Sequence, residues 1–253
     1  MYQSIYPMQE RKIDLEKLDI QYSDAHCHLN LFENPEKVID EARINGVNLI
    51  VASGASMKDN LEVSKIVKEN VFGVVGIDPE HINENFRLEE IKNIIKGNRN
   101  IVGIGEIGLD RKIASAESYF EKEKEVFVKQ LEIAEDMDLP VVIHSRGALE
   151  DIFQILGEFN IRAMFHFFEG DEKSVEKLGK NIISIPPVES NKRNRTIKKA
   201  DIKSIVLETD SPIVGKSPKD VKNSAIIVSK VKGISIEKIA EATTENLRRF
   251  FYI

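Results

Sequence analysis

The chain has no tryptophan, one cysteine and five histidines among its 253 residues. A lone Cys27 excludes an intrachain disulfide framework. It also fits a reducing compartment, so residence in the cytoplasm is expected. No uninterrupted apolar run is long enough to span a bilayer, and the opening MYQSIYPMQERKIDLEKL carries no apolar signal stretch. No membrane association is therefore expected. Net positive charge is also missing. The formal charge is −6, which argues against a broad basic surface that wraps a duplex. A small pocket for one nucleotide end stays compatible with that balance if bound metal supplies the positive charge. There is no linker rich in glycine or serine and no repeat of solenoid length.

What is present is an ordinary globular composition, 42% hydrophobic and 31% charged. Short β-branched runs alternate with amphipathic charged segments. The runs predict strands at Ser23–His28, Val47–Ala52, Val71–Ile77, Ile101–Glu106, Val141–His144, Arg162–His166, Asn181–Ile185 and Ile205–Glu208. Helical patterns lie between them, as at Leu61, Ser64, Ile66, Val67 and Asn70 and from Ser118 to Asp138. Asn45-Gly46 and Pro140 sit where helices should stop. This alternation argues for βαβ units, a parallel sheet and an α/β fold. Eight strands suit either a closed barrel or a doubly wound open sheet, and periodicity does not choose between them. An α/β barrel typically needs about 250 residues, so one domain over residues 1–253 is expected, with residues 1–18 as an N-terminal extension.

Four of the five histidines, His26, His28, His144 and His166, fall at the carboxyl ends of predicted strands. Glu106 and Asp210 share that placement. Parallel strands of a barrel converge at that end, where active sites are built. Four imidazoles and two carboxylates gathered there suit one or two divalent cations. His26 and His28 are two apart on a strand, so both side chains point one way while Cys27 packs on the other side. Gly103, Gly105 and Gly108 leave room around Glu106. Each residue alone has a plainer explanation. Glu106 could lie in a surface glycine turn, Asp210 could cap a turn before Ser211-Pro212, and a single strand-end histidine is often structural. All of these would have to hold together to remove the site.

The segments Asp24-Ala-His26-Cys-His28-Leu29, Gly105-Glu106-Ile-Gly-Leu-Asp110, Pro140-Val-Val-Ile-His144-Ser-Arg146, Phe165-His166-Phe167 and Glu208-Thr-Asp210-Ser-Pro212 occur in that order. Together they resemble the motifs of TatD-related metal-dependent deoxyribonucleases. Thr244-Glu-Asn246-Leu-Arg-Arg-Phe250 is similar to that family's closing helix. The resemblance runs from about Asp24 to Phe250. It implies a (β/α)8 TIM barrel of the amidohydrolase type and a site for two divalent metal ions (Zn, Mn or Mg). His26, His28 and Asp210 would hold one ion, His144 and His166 the other, and Glu106 would bridge them. Arg146 would lie near the bound phosphate. The implied reaction is hydrolysis of a phosphodiester, in a DNA end or a small phosphodiester substrate. Asp210 would accept the proton of the attacking water, so Asp210, Glu106 and Arg146 are the expected catalytic residues.

Three places depart from the family pattern. Ile77-Asp78-Pro79 stands where a His-Pro is usual, bringing negative charge toward the phosphate pocket; the nearby His81 could substitute, although an exposed loop histidine is the simpler reading. Phe168-Glu169-Gly170 is a second acidic replacement. Lys216-Ser-Pro-Lys219 stands in place of an Asn-Glu-Pro segment. Lys216, Lys219 and Asn191–Arg195 could guide a polyanion, although a solvated loop and helix start explains that last stretch more simply. These acidic departures keep a second function in play, a metal-dependent hydrolase of an ester, amide or aminoacyl bond. A non-catalytic scaffold is the third, and an idle site has no physical need for four converging imidazoles.

Overall fold

Strands β1 (Tyr22–Cys27), β2 (Val47–Ser53), β3 (Val71–Val75), β4 (Ile101–Asp110), β5 (Val141–Arg146), β6 (Ala163–Phe165), β7 (Ile182–Ile185) and β8 (Ile205–Leu207) pair in parallel in chain order. They belong to a computed structural model that describes residues 20–114 and 116–253. The expected extension, residues 1–18, lies outside the described residues. Between and after the strands run α1 (Pro35–Ile44), α2 (Met57–Ile66), α3 (Leu88–Gly97), α4 (Glu117–Asp136), α5 (Leu149–Leu156), α6 (Glu172–Glu176), α7 (Asn191–Lys199), α8 (Val221–Lys232) and α9 (Ile236–Phe251). Local chemistry sets several of their ends. Asn34, Ser56, Asp171 and Ser190 each accept a backbone N–H in the first turn of α1, α2, α6 and α7. Gly46, at φ +81°, turns the chain out of α1 into β2. Among the described residues no helix is long and apolar enough to cross a membrane.

The ring closes between β8 and β1. The Asp210 N–H donates to His26 O at 2.9 Å, and the His28 N–H donates to Ser211 O at 2.7 Å. A closed (β/α)8 TIM barrel, not an open sheet, is therefore the fold. Its interior is a packed core. Leu49, Val51, Val74, Val142, Met164 and Val206 point inward and meet Leu247, Phe250 and Phe251 of α9. This helix seals the amino-terminal end of the barrel, where Asn246 donates to the Ile202 and Ile205 carbonyls at the start of β8. A second apolar layer, including Ile50, Val75, Ile104, Ile107, Phe120 and Phe127, lies between strands and helices.

Two strands break register where they carry site residues. On β1, Asp24 pairs with Ile50 but Cys27 pairs with Ala52. On β4, Ile104 pairs with Val141 but Ile107 pairs with Ile143. Each is one extra residue, a β-bulge, and a bulge re-aims the side chains around it. β4 also runs to Asp110, so Glu106 lies inside the strand and not at its end as the sequence suggests. Conversely, β6 and β8 stop at Phe165 and Leu207, which leaves His166 and Asp210 just beyond them. Gly108 permits the close approach of β4 to β5, since a Cβ there would stand 2.0 Å from His144 O.

The β8–β1 seam has few ladder bonds, and a buried side chain supplements them. The Asp24 carboxylate accepts from the Thr209 N–H at 2.9 Å and from the Thr209 hydroxyl at 2.5 Å. Thr209→Val keeps the shape but leaves one buried carboxylate oxygen without its donor. It is expected to cost about 1–3 kcal/mol in denaturant unfolding. An unchanged midpoint would show that the bond from the Thr209 hydroxyl to Asp24 does not help to hold the seam.

Candidate metal centre

At the carboxyl end of the barrel the expected residues meet in one place. The Glu106 carboxylate lies at the middle and faces two groups at once. Its Oε1 is 2.8 Å from His144 Nδ1 and 2.8 Å from His166 Nε2. Its Oε2 is 3.4 Å from His26 Nε2 and 3.7 Å from His28 Nε2. Asp210 Oδ1 completes the second group, 3.7 Å from His26 Nε2 and 3.4 Å from His28 Nε2. Two sets have the spacing of cation ligands, His26 with Glu106 and His166, and His26 with His28 and Asp210. Arg146 stands further out at the mouth, mostly exposed, with Nη1 3.8 Å from Asp110 Oδ2.

The surroundings aim these groups. His28 Nδ1 is 3.2 Å from the Ser53 carbonyl, which turns Nε2 to the centre. His26 stacks on His166 with ring centroids 4.2 Å apart. His144 Nε2 meets Asp110 Oδ2 at 3.0 Å, so a carboxylate sets that ring's orientation. Glu123 of α4 accepts the Asp110 N–H at 2.9 Å. Glu208, fully buried, accepts from the Phe167 N–H at 2.7 Å and from the Ser184 hydroxyl at 2.5 Å. Asp210 and Phe167 sit at φ +49° and +45°, each costing about 1–3 kcal/mol in backbone strain. Their N–H bonds to His26 O and Glu208 hold them there.

Asp110, Glu208 and Glu123 were given no part by the sequence reading. Two of them carry a signal in the sequence. Asp110 follows Glu106 at an even spacing on an extended segment, and Glu208 precedes Asp210 by two. Glu123 arrives from a helix face and has none. His81 differs from expectation as well. It is half-buried, not exposed: Asp78 Oδ1 meets its Nδ1 at 2.5 Å, and both residues line the cleft above the centre. The negative charge of Asp78 is thereby offset within its own loop. The basic stretch Asn191–Arg195 is the first turn of α7. Arg193 packs over Phe167 and Arg195 pairs with Glu172. Lys219 pairs with Glu41, and neither lysine 216 nor 219 lines the cleft.

The electrostatics are those of a cation site holding protons. Burial alone would raise the Glu106 carboxyl, but His166, His144 and His26 outweigh it and hold it well below the usual range. Burial opposes protonation of His144, yet Asp110 and Glu106 push it up to about 10. Glu106, followed by Glu208 and Asp210, likewise overcomes burial at His166 and lifts it to about 9. His26 goes the other way, to about 4, through burial and the neighbouring His166. Several atoms stay unsatisfied even so. His26 Nε2, His166 Nδ1 and Asp210 Oδ1 are buried without a hydrogen-bond partner. A divalent cation beside His26 Nε2 and Asp210 Oδ1 would satisfy both, so the donor set fits a metal.

A pH dependence follows for the metal-free protein. The raised His144 and His166 values contribute stability that is complete below the ordinary 6.5 and lost as pH rises through about 9 to 10. The depressed His26 value removes stability as pH falls from 6.5 through about 4, and the depressed Glu106 value adds to that loss only below 4.5. Thermal melting is therefore expected to be highest near pH 6.5 and to drop toward pH 10. Metal uptake should release protons across the same alkaline window. A melting temperature that stays level from pH 6.5 to 10 would contradict this.

The chain is similar to known proteins along most of its length. The family model described as TatD related DNase matches residues 23–252. An uncharacterised metal-dependent hydrolase of Methanocaldococcus jannaschii is 31% identical over 92% of this chain and 98% of its own length. A putative deoxyribonuclease, tatdn3, of Danio rerio is 33% identical over 91% of this chain and 97% of its own. Among solved structures, a TatD homologue of Escherichia coli, YJJV, superposes with a TM-score of 0.85 at 21% identity, covering 93% of this chain and all of that one. The chain belongs to the TatD family of metal-dependent hydrolases.

Proposed function

We propose that the chain hydrolyses phosphodiesters, at a DNA end or in a small phosphodiester, with a pair of divalent cations. The observation that carries this reading is the Glu106 carboxylate, one oxygen beside His144 and His166 and the other beside His26 and His28. His26, His28 and Asp210 would hold one cation and His144 and His166 the other, with Glu106 shared. Four imidazoles favour zinc or manganese over magnesium. Bound there, the cations supply Lewis acidity that lowers the pKa of a water and draws charge from a phosphoryl oxygen.

The chain's own residues do the rest. Burial would raise Asp210, but His28 and His26 hold it below the usual carboxylate range, so it is ionised and ready to take the proton of the attacking water. Arg146 reaches the mouth with a free guanidinium edge, suited to a phosphate oxygen pair. The cleft above the centre encloses about 910 Å³, room for a nucleotide and not for a duplex. Leu31, Ile213 and Val214 expose apolar surface along its β8–β1 side, which suits a base or aryl group. The relative named a putative deoxyribonuclease supports the same reading.

The test is hydrolysis of bis(p-nitrophenyl) phosphate and of 3′-labelled single-stranded DNA by metal-stripped protein with zinc, manganese or magnesium restored. Metal-dependent cleavage that Asp210→Asn lowers by about 100-fold or more, with a smaller loss of bound metal, is the expected result. Normal turnover in that variant would end the role given to Asp210. Bound metal with no phosphodiester cleavage, but with cleavage of a carboxyl ester, would move the reading to another hydrolytic substrate. The acidic Glu80, Glu84 and Glu169 around the same cleft favour that second reading.

A further inference from the structure

We propose that His81, held by Asp78, donates the proton that the leaving group needs. This rests on the phosphodiesterase reading and adds a residue on the leaving side of the reaction. Its basis is geometric. The Asp78 carboxylate meets His81 Nδ1 at 2.5 Å and accepts the His81 N–H through the same oxygen at 3.0 Å. The imidazole is thereby fixed with Nδ1 engaged. Among the described residues its Nε2 has no acceptor within hydrogen-bond distance, and the Glu84 carboxylate stands 3.9 Å away. Both residues line the cleft that also contains Glu106, His144 and Arg146.

The loop that carries the pair is rigidly held. Gln130 of α4 makes two bonds to the Ile77 backbone, at 2.7 and 2.9 Å. Asn60 of α2 makes two to Gly76, at 2.8 and 3.0 Å. The Tyr119 hydroxyl donates to Pro79 O at 2.9 Å, and the Asp78 N–H donates to Ala55 O at 3.0 Å. Such anchoring keeps a donor in place before substrate arrives. A proton is also available. The Asp78 hydrogen bond outweighs burial and, with Glu84 and Asp59 adding to it, lifts His81 to about 9.

The reaction leaves this position open. Asp210 serves the water, the other four histidines surround Glu106, and Arg146 does not deprotonate. When the P–O bond to a sugar breaks, its electron pair stays on an alkoxide oxygen. The His81 Nε2–H proton passes to that oxygen, giving an alcohol. His81 becomes neutral with Nδ1–H still on Asp78, and solvent water returns the proton. An aryloxide departs without this help, so the two kinds of substrate separate the role from a general one.

The experiment compares metal-loaded wild type, His81→Gln and Asp78→Asn on bis(p-nitrophenyl) phosphate and on a thymidine dinucleotide. His81→Gln is expected to slow the dinucleotide about 100-fold more than the aryl ester. Asp78→Asn should show the same bias more weakly, and it carries the test if His81→Gln fails to fold or to bind metal. Equal slowing of both substrates, or slowing of neither, would overturn the proposal while leaving the phosphodiesterase reading intact. A wild type that cleaves neither substrate would remove both.

Discussion

A buried carboxylate ringed by imidazoles is the feature on which the barrel mouth depends. Protonated imidazoles repel one another strongly at low dielectric, and a carboxylate among the rings offsets that charge. Glu106 supplies that group from within β4, and Asp210 supplies a second from beyond β8. Even so, His26 Nε2 and Asp210 Oδ1 remain without partners. A bound cation would satisfy both atoms. Protons and a cation would compete at such a cluster, since an imidazole ligates a metal only in its neutral form.

The fold delivers these residues through small irregularities. Regular strands would send alternate side chains to opposite faces, and a strict alternation on β1 and β4 does not suit both the core and the centre. The bulges between Asp24 and Cys27 and between Ile104 and Ile107 resolve this. Ile107 and Leu109 still face the helices while Glu106 and Asp110 face the mouth. The closing seam serves both ends as well. Its backbone bonds join His26 to Asp210 and His28 to Ser211, so ring closure and the alignment of three candidate ligands are one event.

Much of this was legible in the sequence. Runs such as Val47–Ala52 and Ile101–Glu106 mark strands because β-branched residues recur between amphipathic segments, and histidine is scarce enough for its strand-end placement to stand out. Ring closure was not legible from periodicity, because it depends on β8 meeting β1 across nearly the whole chain, and the motif resemblance had to indicate the barrel. Strand ends were misplaced where the pattern continues but pairing stops, as at His166, or where pairing continues past a glycine, as at Gly108. The Glu123–Asp110–His144 chain was hidden because Glu123 looks like any charged residue on a helix until α4 packs on β4. The charge of Asp78 read as a cost to phosphate, since its pairing with His81 is a property of the folded loop.

Anomalous diffraction from crystals of the manganese- or zinc-loaded protein addresses the bridging role proposed for Glu106 most directly. The expected map has two peaks about 4 Å apart, one beside His26, His28 and Asp210, the other beside His144 and His166, with Glu106 between them. A single peak, or two peaks that Glu106 does not join, would contradict it.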